Sequence, residues 1–594
     1  MRTRLLRLRF RRRIRTGQQQ AADLGTQAEQ HIDRHLLRRF ERLLPVRRFV
    51  IGWLCLLLLL IGAVVAQNLT LSTYYQTLRP VPGGIYNEGV KGRFTNANPL
   101  FASSDADLTV SRLVFAGLLT YDLHGNLIGD LASDYKVDEH GSTYTVHLKP
   151  HLKWQDGRPL TSADVLFTYR TIQNPDVRSS LQNAWQGIEV SAPDNLTIVF
   201  KLPGVLAAFP HNLTNGIVPE HLLANIPPGN LRSAEFNTVK PVGAGPFAWQ
   251  ALKAQGDGDP KHSQERIALI PFDGYQAGKP KLQEFVVQVF ADESQMTQAF
   301  ADKQLTAAEG LPEVPRELEH KGGVQQHNLR LAAANMVFFK TSEGVLADQK
   351  VRRSLVQAAN VPQIAAKLSY PARLVREPIL AGQVAYDPTL TQPGFNLAAA
   401  KAQLDSDGWP TGKNGTRGKD GRELAITLTA ANTPEYRLVA GQLKDQWQKL
   451  GVKLDTQFLS AAEFQNALLS HNYEAILNGI SIGADPDVFV YWDSSQADIR
   501  SVNRLNFSEY KNPAADASLE AGRTRLDPSL RAIKYRPFLE AWQQDSPALG
   551  LYQPRLLYLT NGTVAGLTDE QLPTTTDRFI NVQNWEIHQA KVTN

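Results

Sequence analysis

Residues 49–66 read FVIGWLCLLLLLIGAVVA, eighteen residues without a charge. A run of this kind stands at the lower edge of what crosses about 30 Å of hydrocarbon. Arg47 and Arg48 flank it on one side, with an arginine-rich tail behind them. The positive-inside rule then predicts a cytoplasmic basic tail at 1–48, a transmembrane helix at 49–66 and everything after 67 on the outer side. Against a cleaved signal peptide stands a 48-residue stretch ahead of the apolar run, where a short one is expected. In its favour, Val64 and Ala66 fit the small-residue pattern that precedes a cleavage point. A lipoprotein anchor needs a cysteine just after the run, and Cys55 sits near its start. Leu36, Leu37, Phe40, Leu43 and Leu44 recur at helical spacing among arginines, which suits a helix lying on anionic lipid or a solvated arm that sets topology.

The tail also decides how the charge is read. Residues 1–48 hold fourteen arginines against Asp23, Glu29, Asp33 and Glu41, a balance of +10 in a chain whose total is +5. The remainder is therefore −5, and the basic character gives no argument for nucleic acid. Cys55 is the single cysteine in 594 residues, so neither an intrachain disulfide nor a cysteine zinc site can form.

Residues 67–80 read as a stalk. Beyond them, Tyr144, Val146 and Leu148 alternate with Thr145 and His147, and Leu196, Ile198, Phe200 and Leu202 alternate again. Period two behind turn residues predicts strands. Between them, Thr161 and Asp164 stand at capping-box spacing ahead of an apolar face of Val165, Leu166, Tyr169 and Ile172. Later, Leu424, Ile426 and Leu428 predict a strand, and Thr433-Pro434 an N-cap with proline in the first turn. Tyr436, Val439, Leu443, Trp447 and Leu450 then line a helix that Gly451 stops, before a strand of Val452, Leu454, Thr456 and Phe458. Strand, helix and strand of this length form a βαβ unit with parallel pairing, whose ligands tend to lie beyond the carboxyl ends of strands. The glycine- and charge-rich stretches 255–266 and 409–421 read as exposed loops, the second as a hairpin.

No H-E-x-x-H and no glycine-rich dinucleotide fingerprint is present, and 412–420 lacks the spacing of a phosphate loop. The pairs His147/His151 and His211/His221 do not converge at metal-ligand spacing. Neither catalysis, a cofactor nor a metal is expected.

One stretch, 114–175, is specific. It carries Phe115, Gly117-Leu118-Leu119, Asp122, Gly125, Leu131-Ala132, Gly141, Thr143-Tyr144-Thr145, Leu148, Lys153-Trp154, Asp156-Gly157, Pro159, Thr161 and Asp164-Val165. In order after it come Ile217-Val218-Pro219-Glu220-His221, Pro241-Val242-Gly243-Ala244-Gly245-Pro246-Phe247, Gly278-Lys279-Pro280-Lys281-Leu282, Lys350-Val351-Arg352-Arg353 and Tyr510-Lys511-Asn512-Pro513-Ala514-Ala515-Asp516. This series resembles the family 5 extracellular solute-binding proteins, the peptide/nickel class, from about Val81 to the C-terminus.

The resemblance implies an α/β, two-lobed periplasmic-binding-protein-like fold of type II, the large peptide-binding class. It has an extra β-rich subdomain and is preceded by the transmembrane helix. The expected divisions are lobe I at 81–118, 203–324 and 554–594, the β-rich subdomain at 119–202, and lobe II at 325–553, with ligand trapped by hinge closure. The implied function is the substrate-binding subunit of an ABC importer, binding short peptides between the lobes and passing them to permease and ATPase subunits. A nickel chelate, haem or sugar on the same fold is the alternative, as is a membrane-tethered sensor. Members that bind oligopeptides hold the α-amino group with an aspartate in a segment like Gly483-Ala484-Asp485-Pro486-Asp487. That makes Asp485 the expected ligand partner, with Ser481, Tyr491 and Trp492 as further ligand-binding residues. Capping of the following helix by the two aspartates, and core packing of the two aromatics, are the alternatives. Ala359-Asn360-Val361-Pro362-Gln363-Ile364 lacks the Asp-Arg pair of the family pattern, and a membrane helix with a basic tail replaces the usual lipid anchor.

Overall fold

The computed structural model describes residues 47–255, 263–319, 321–501 and 504–593, so the basic tail at 1–46 and most of the expected loop at 255–266 lie outside the described residues. The chain divides into two units, Pro80–His588 on one hand and Met1–Arg79 with Gln589–Asn594 on the other.

The smaller unit is dominated by a helix, Arg47–Tyr75. Its stretch Arg48–Asn68 has a mean hydropathy of 2.9 and none of it is buried. Twenty-one residues at about 1.5 Å each give about 32 Å, the thickness of a bilayer core. The helix does not end where the apolar run ends. Residues 67–75 contain neither glycine nor proline, and the helix runs through them to Tyr75. The stalk expected at 67–80 is thus a continuation of the helix followed by a strand, Gln76–Val81, which pairs with His588–Thr593.

The larger unit is built on two sheets. The first has seven strands in the order Val324–Arg330, Arg555–Asn561, Ala307–Glu309, Ile85–Lys91, Glu284–Phe290, Gln264–Pro271 and Phe247–Gln255. The second has five: Lys453–Leu459, Ala425–Ala431, Ala475–Ser481, Ala333–Phe339 and Ala548–Tyr552. The strand Val324–Arg330 pairs along its whole length with Arg555–Asn561 of the first sheet. A boundary at 325 therefore cuts a strand from its own sheet; the sheets change at 331–332. The chain passes between them twice, there and at 553–554. The two passages are bonded to each other, Leu331 N–H to Pro554 C=O at 3.0 Å and Gln553 Nε2 to Leu331 C=O at 3.1 Å.

Inside 119–202 lies a separate four-stranded antiparallel sheet, Ala132–Val137, Thr143–Leu148, Thr197–Lys201 and Glu189–Asp194 in spatial order. Tyr144, Val146 and Leu148 point into its core, as their alternation requires. The helix Ser162–Gln173 is capped by Thr161 and Asp164 reciprocally. Two of the ordered motifs meet in space here. Gln155 donates through Nε2 to the carbonyls of Val114, Gly245 and Phe247, and accepts from Gly243 N–H at 2.8 Å. A Cβ at Gly243 would lie 2.0 Å from the Val114 carbonyl oxygen, so this approach requires glycine.

In the second sheet the expected βαβ unit is present. Ala425–Ala431 and Lys453–Leu459 run parallel, joined by the helix Pro434–Leu450. Thr433 caps its first turn and Gly451 leaves it at φ +90°. The 409–421 stretch holds a short hairpin, Gly418–Lys419 with Arg422–Glu423. It is less exposed than its composition implies, because Arg417 turns inward to the carbonyls of Leu450 and Trp409.

Candidate functional site

A cavity of about 430 Å³ opens where the two sheets face each other beside the double passage. Gly310, Leu311, Pro312 and residues 554–557 wall it from the first lobe, and Asn335, Ala431, Thr433, Glu435, Tyr436, Phe464 and Asn478 from the second. Ala431 ends its parallel strand, so the cavity lies at a carboxyl strand end, where an α/β sheet leaves room and helix N-termini converge.

Glu435 is in the first turn of the 434–450 helix, and its carboxylate is held by neutral donors. Tyr552 Oη donates to Oε1 at 2.9 Å and Tyr370 Oη to Oε2 at 3.2 Å; Asn335 Nδ2 stands 3.4 Å from Oε1. Burial, and next the Glu435 charge, raise both phenols, so they remain donors at neutral pH. Tyr436 Oη donates to Asn335 Oδ1 at 3.1 Å. A side chain at Gly479 would strike that Asn335 oxygen at 2.8 Å, so the absence of a Cβ keeps this part of the wall open.

The residues expected to bind ligand lie elsewhere, and none of the four lines this cavity. Asp485 is joined to Arg531 by two parallel bonds, each 2.5 Å, with 12% and 5% of the two side chains exposed. Burial works against the Arg531 charge, but the bond and charge of Asp485 outweigh it and raise that group. Asp487 bonds Arg523 at 2.9 Å and only weakly approaches Phe489 N–H, at 3.4 Å. Burial raises Asp487 despite Arg523. It is therefore an ion-pair partner more than a cap. From the first lobe, His211 Nε2 comes within 3.9 Å of Asp485, while its Nδ1 is bonded to Tyr121 Oη at 2.9 Å. Ala207 N–H donates to Arg523 C=O at 2.9 Å. The Asp485 cluster is thus a charged seam across the lobes, and its aspartate is not a free counter-charge.

Trp492 is fully buried against Phe338, Phe538 and Trp542 in the core of the second lobe, which corrects its reading as a pocket wall. The Tyr491 hydroxyl donates to Ser481 C=O at 2.7 Å, tying the 489–492 turn to the end of its strand. Ser481 also stands in Gly479-Ile480-Ser481-Ile482-Gly483, which has the G-x-S-x-G spacing of a hydrolase nucleophile elbow. That elbow needs a sharp strand-to-helix turn. Here Ser481 still pairs with Ala333 in the ladder, and the next helix begins at Phe489.

Glu435, Tyr370 and Tyr552 were not singled out in the sequence. Glu435 reads there as a first-turn helix acid, and its phenolic partners are 65 and 117 residues away.

Comparison with known proteins accounts for this architecture. Residues 126–501 match the bacterial extracellular solute-binding proteins, family 5 Middle. The oligopeptide-binding protein AppA of Bacillus subtilis is 27% identical over 492 residues, covering 80% of this chain and 87% of the relative. The structure of AppA from Bacillus subtilis in complex with a nonapeptide superposes with a TM-score of 0.68 at 23% identity, over 86% of this chain and all of that one. NikZ from Campylobacter jejuni in complex with Ni(L-His) does so with a TM-score of 0.71, also at 23%, over 84% of this chain and 99% of that one. The likeness to the solved structures shows the two-lobed fold with its β-rich subdomain. The family match spans more than half the chain, and the chain belongs to the bacterial extracellular solute-binding proteins of family 5.

Proposed function

We propose that this chain is the extracytoplasmic substrate-binding subunit of an ABC importer, that it takes short peptides into the cavity between its lobes, and that it is tethered to the membrane through 49–66. The observation that carries the reading is the cavity beside a double chain passage, the place where hinge closure would trap a ligand. The relatives favour peptide among the ligands this fold accepts, AppA being named for oligopeptide binding and solved with a nonapeptide. Release would be to permease and ATPase subunits, without turnover of the peptide. The apolar helix and the arginines behind it support retention at the membrane with the tail inside.

The test is thermal unfolding of the full chain in detergent with pooled tri- to nonapeptides, and with nickel–histidine and sugars as comparison ligands. A ligand that binds the folded state alone raises the melting temperature by mass action. A rise with peptides alone supports the reading; a rise only with nickel–histidine or sugar keeps the solute-binding role and discards the peptide.

A further inference from the structure

Among the described residues, Glu435 is the one carboxylate lining the cavity. Its hydrogen-bond partners are two phenols and an amide. Arg555, which also lines the cavity, bonds Asn328 and Ser369 and lies 4.2 Å over the Tyr370 ring. No ion pair within 4.0 Å forms at Glu435 among the described residues. Burial lowers Arg555, with the Tyr370 and Glu435 charges opposing. Three donors against about four acceptor sites leave the carboxylate able to accept another bond. A first-turn acid does complement the helix dipole. That alone does not explain two phenols from separate segments converging on it.

We infer that Glu435 receives the cationic group of the ligand, an α-ammonium if the ligand is a peptide, at the second-lobe wall of this cavity. The inference rests on the peptide-binding reading above and deepens it. Neutral donors hold the carboxylate in position without cancelling its charge, so an ammonium entering a closing cavity gains a charge-assisted hydrogen bond. Asp485 offers no such place, because Arg531 already balances it. The cavity then selects ligands with a free amino end, and a blocked amino end leaves Glu435 without its partner.

The experiment uses a lysine-free pool of tri- to nonapeptides, with free or with acetylated amino ends, titrated against the full chain and against Glu435→Gln. Glu435→Asp, which keeps the charge, is measured beside them. For the native chain, acetylation is expected to weaken binding about 10–100-fold, the range of a lost hydrogen bond to a charged group. Glu435→Gln is expected to bind the free-amino pool weakly and to distinguish the two pools by less than about 3-fold, while Glu435→Asp retains the distinction. Equal weakening by acetylation in the native chain and in Glu435→Gln overturns the inference and leaves the peptide reading standing. If the native chain binds neither pool, the peptide reading fails and this inference fails with it.

Discussion

Two carboxylates of the second lobe differ in how they are held. Asp485 is bidentate to a nearly buried arginine. Glu435 is cradled by Tyr370, Tyr552 and Asn335 and faces a cavity. A carboxylate paired with a guanidinium stabilises structure and position. A carboxylate held by neutral donors keeps its charge available to something that comes and goes. The difference teaches that a motif can mark an acidic residue without revealing whether its charge is already balanced.

The comparison breaks most sharply on stability. Removing Asp485 leaves Arg531 buried without its counter-charge, and Asp485→Ala is expected to cost about 3–5 kcal/mol in chemical denaturation. Glu435→Gln removes no ion pair and should cost under about 1 kcal/mol. Equal costs would erase the distinction. Trp492→Ala, deep in the same lobe, should also cost about 3–5 kcal/mol but leave peptide affinity within about 2-fold. A large affinity loss at unchanged stability would return Trp492 to the site.

Two further carboxylates show burial without adequate pairing. Burial raises Glu377 to about 8 and Glu309 to about 7; a bond from Asp387 N–H opposes the first and Arg578 the second. Their folded values lie above the unfolded ones near 4.5, so the stability they lend is full below that pH and is lost as pH rises through 7 to 8. Glu309→Gln should flatten the stability profile between pH 4.5 and 7 by on the order of 2 kcal/mol. The smallest effect belongs to His211. Burial lowers it, with Asp485 opposing, so its contribution is present above about pH 6.5 and lost below. His211→Asn should remove that acid-side loss, under about 1 kcal/mol, with little change at pH 8.

Local structure was legible in the sequence wherever one segment determines it. The Thr161/Asp164 box, the Thr433 cap and the Gly451 stop are each written within a few residues, and each forms as expected. So is the alternation at 144–148. The first helix runs past the drop in hydropathy at 67, as far as Tyr75, because residues 67–75 carry neither glycine nor proline. A boundary at 325 is wrong for Val324–Arg330 because the strand it pairs with lies more than 200 residues later, beyond the reach of any local pattern. The site was the least legible part. Asp485 stands in a recognisable segment, but Arg531, which balances it, is 46 residues on and no local pattern joins them. Glu435 is the reverse case, an ordinary helix acid made distinctive by tyrosines brought from two distant segments.

The most direct measurement is a crystal structure of the chain with a bound peptide. The account predicts density between the lobes, with the amino end at hydrogen-bonding distance from Glu435 and the Asp485–Arg531 pair intact. An amino end bonded to Asp485, with Arg531 displaced, would contradict it.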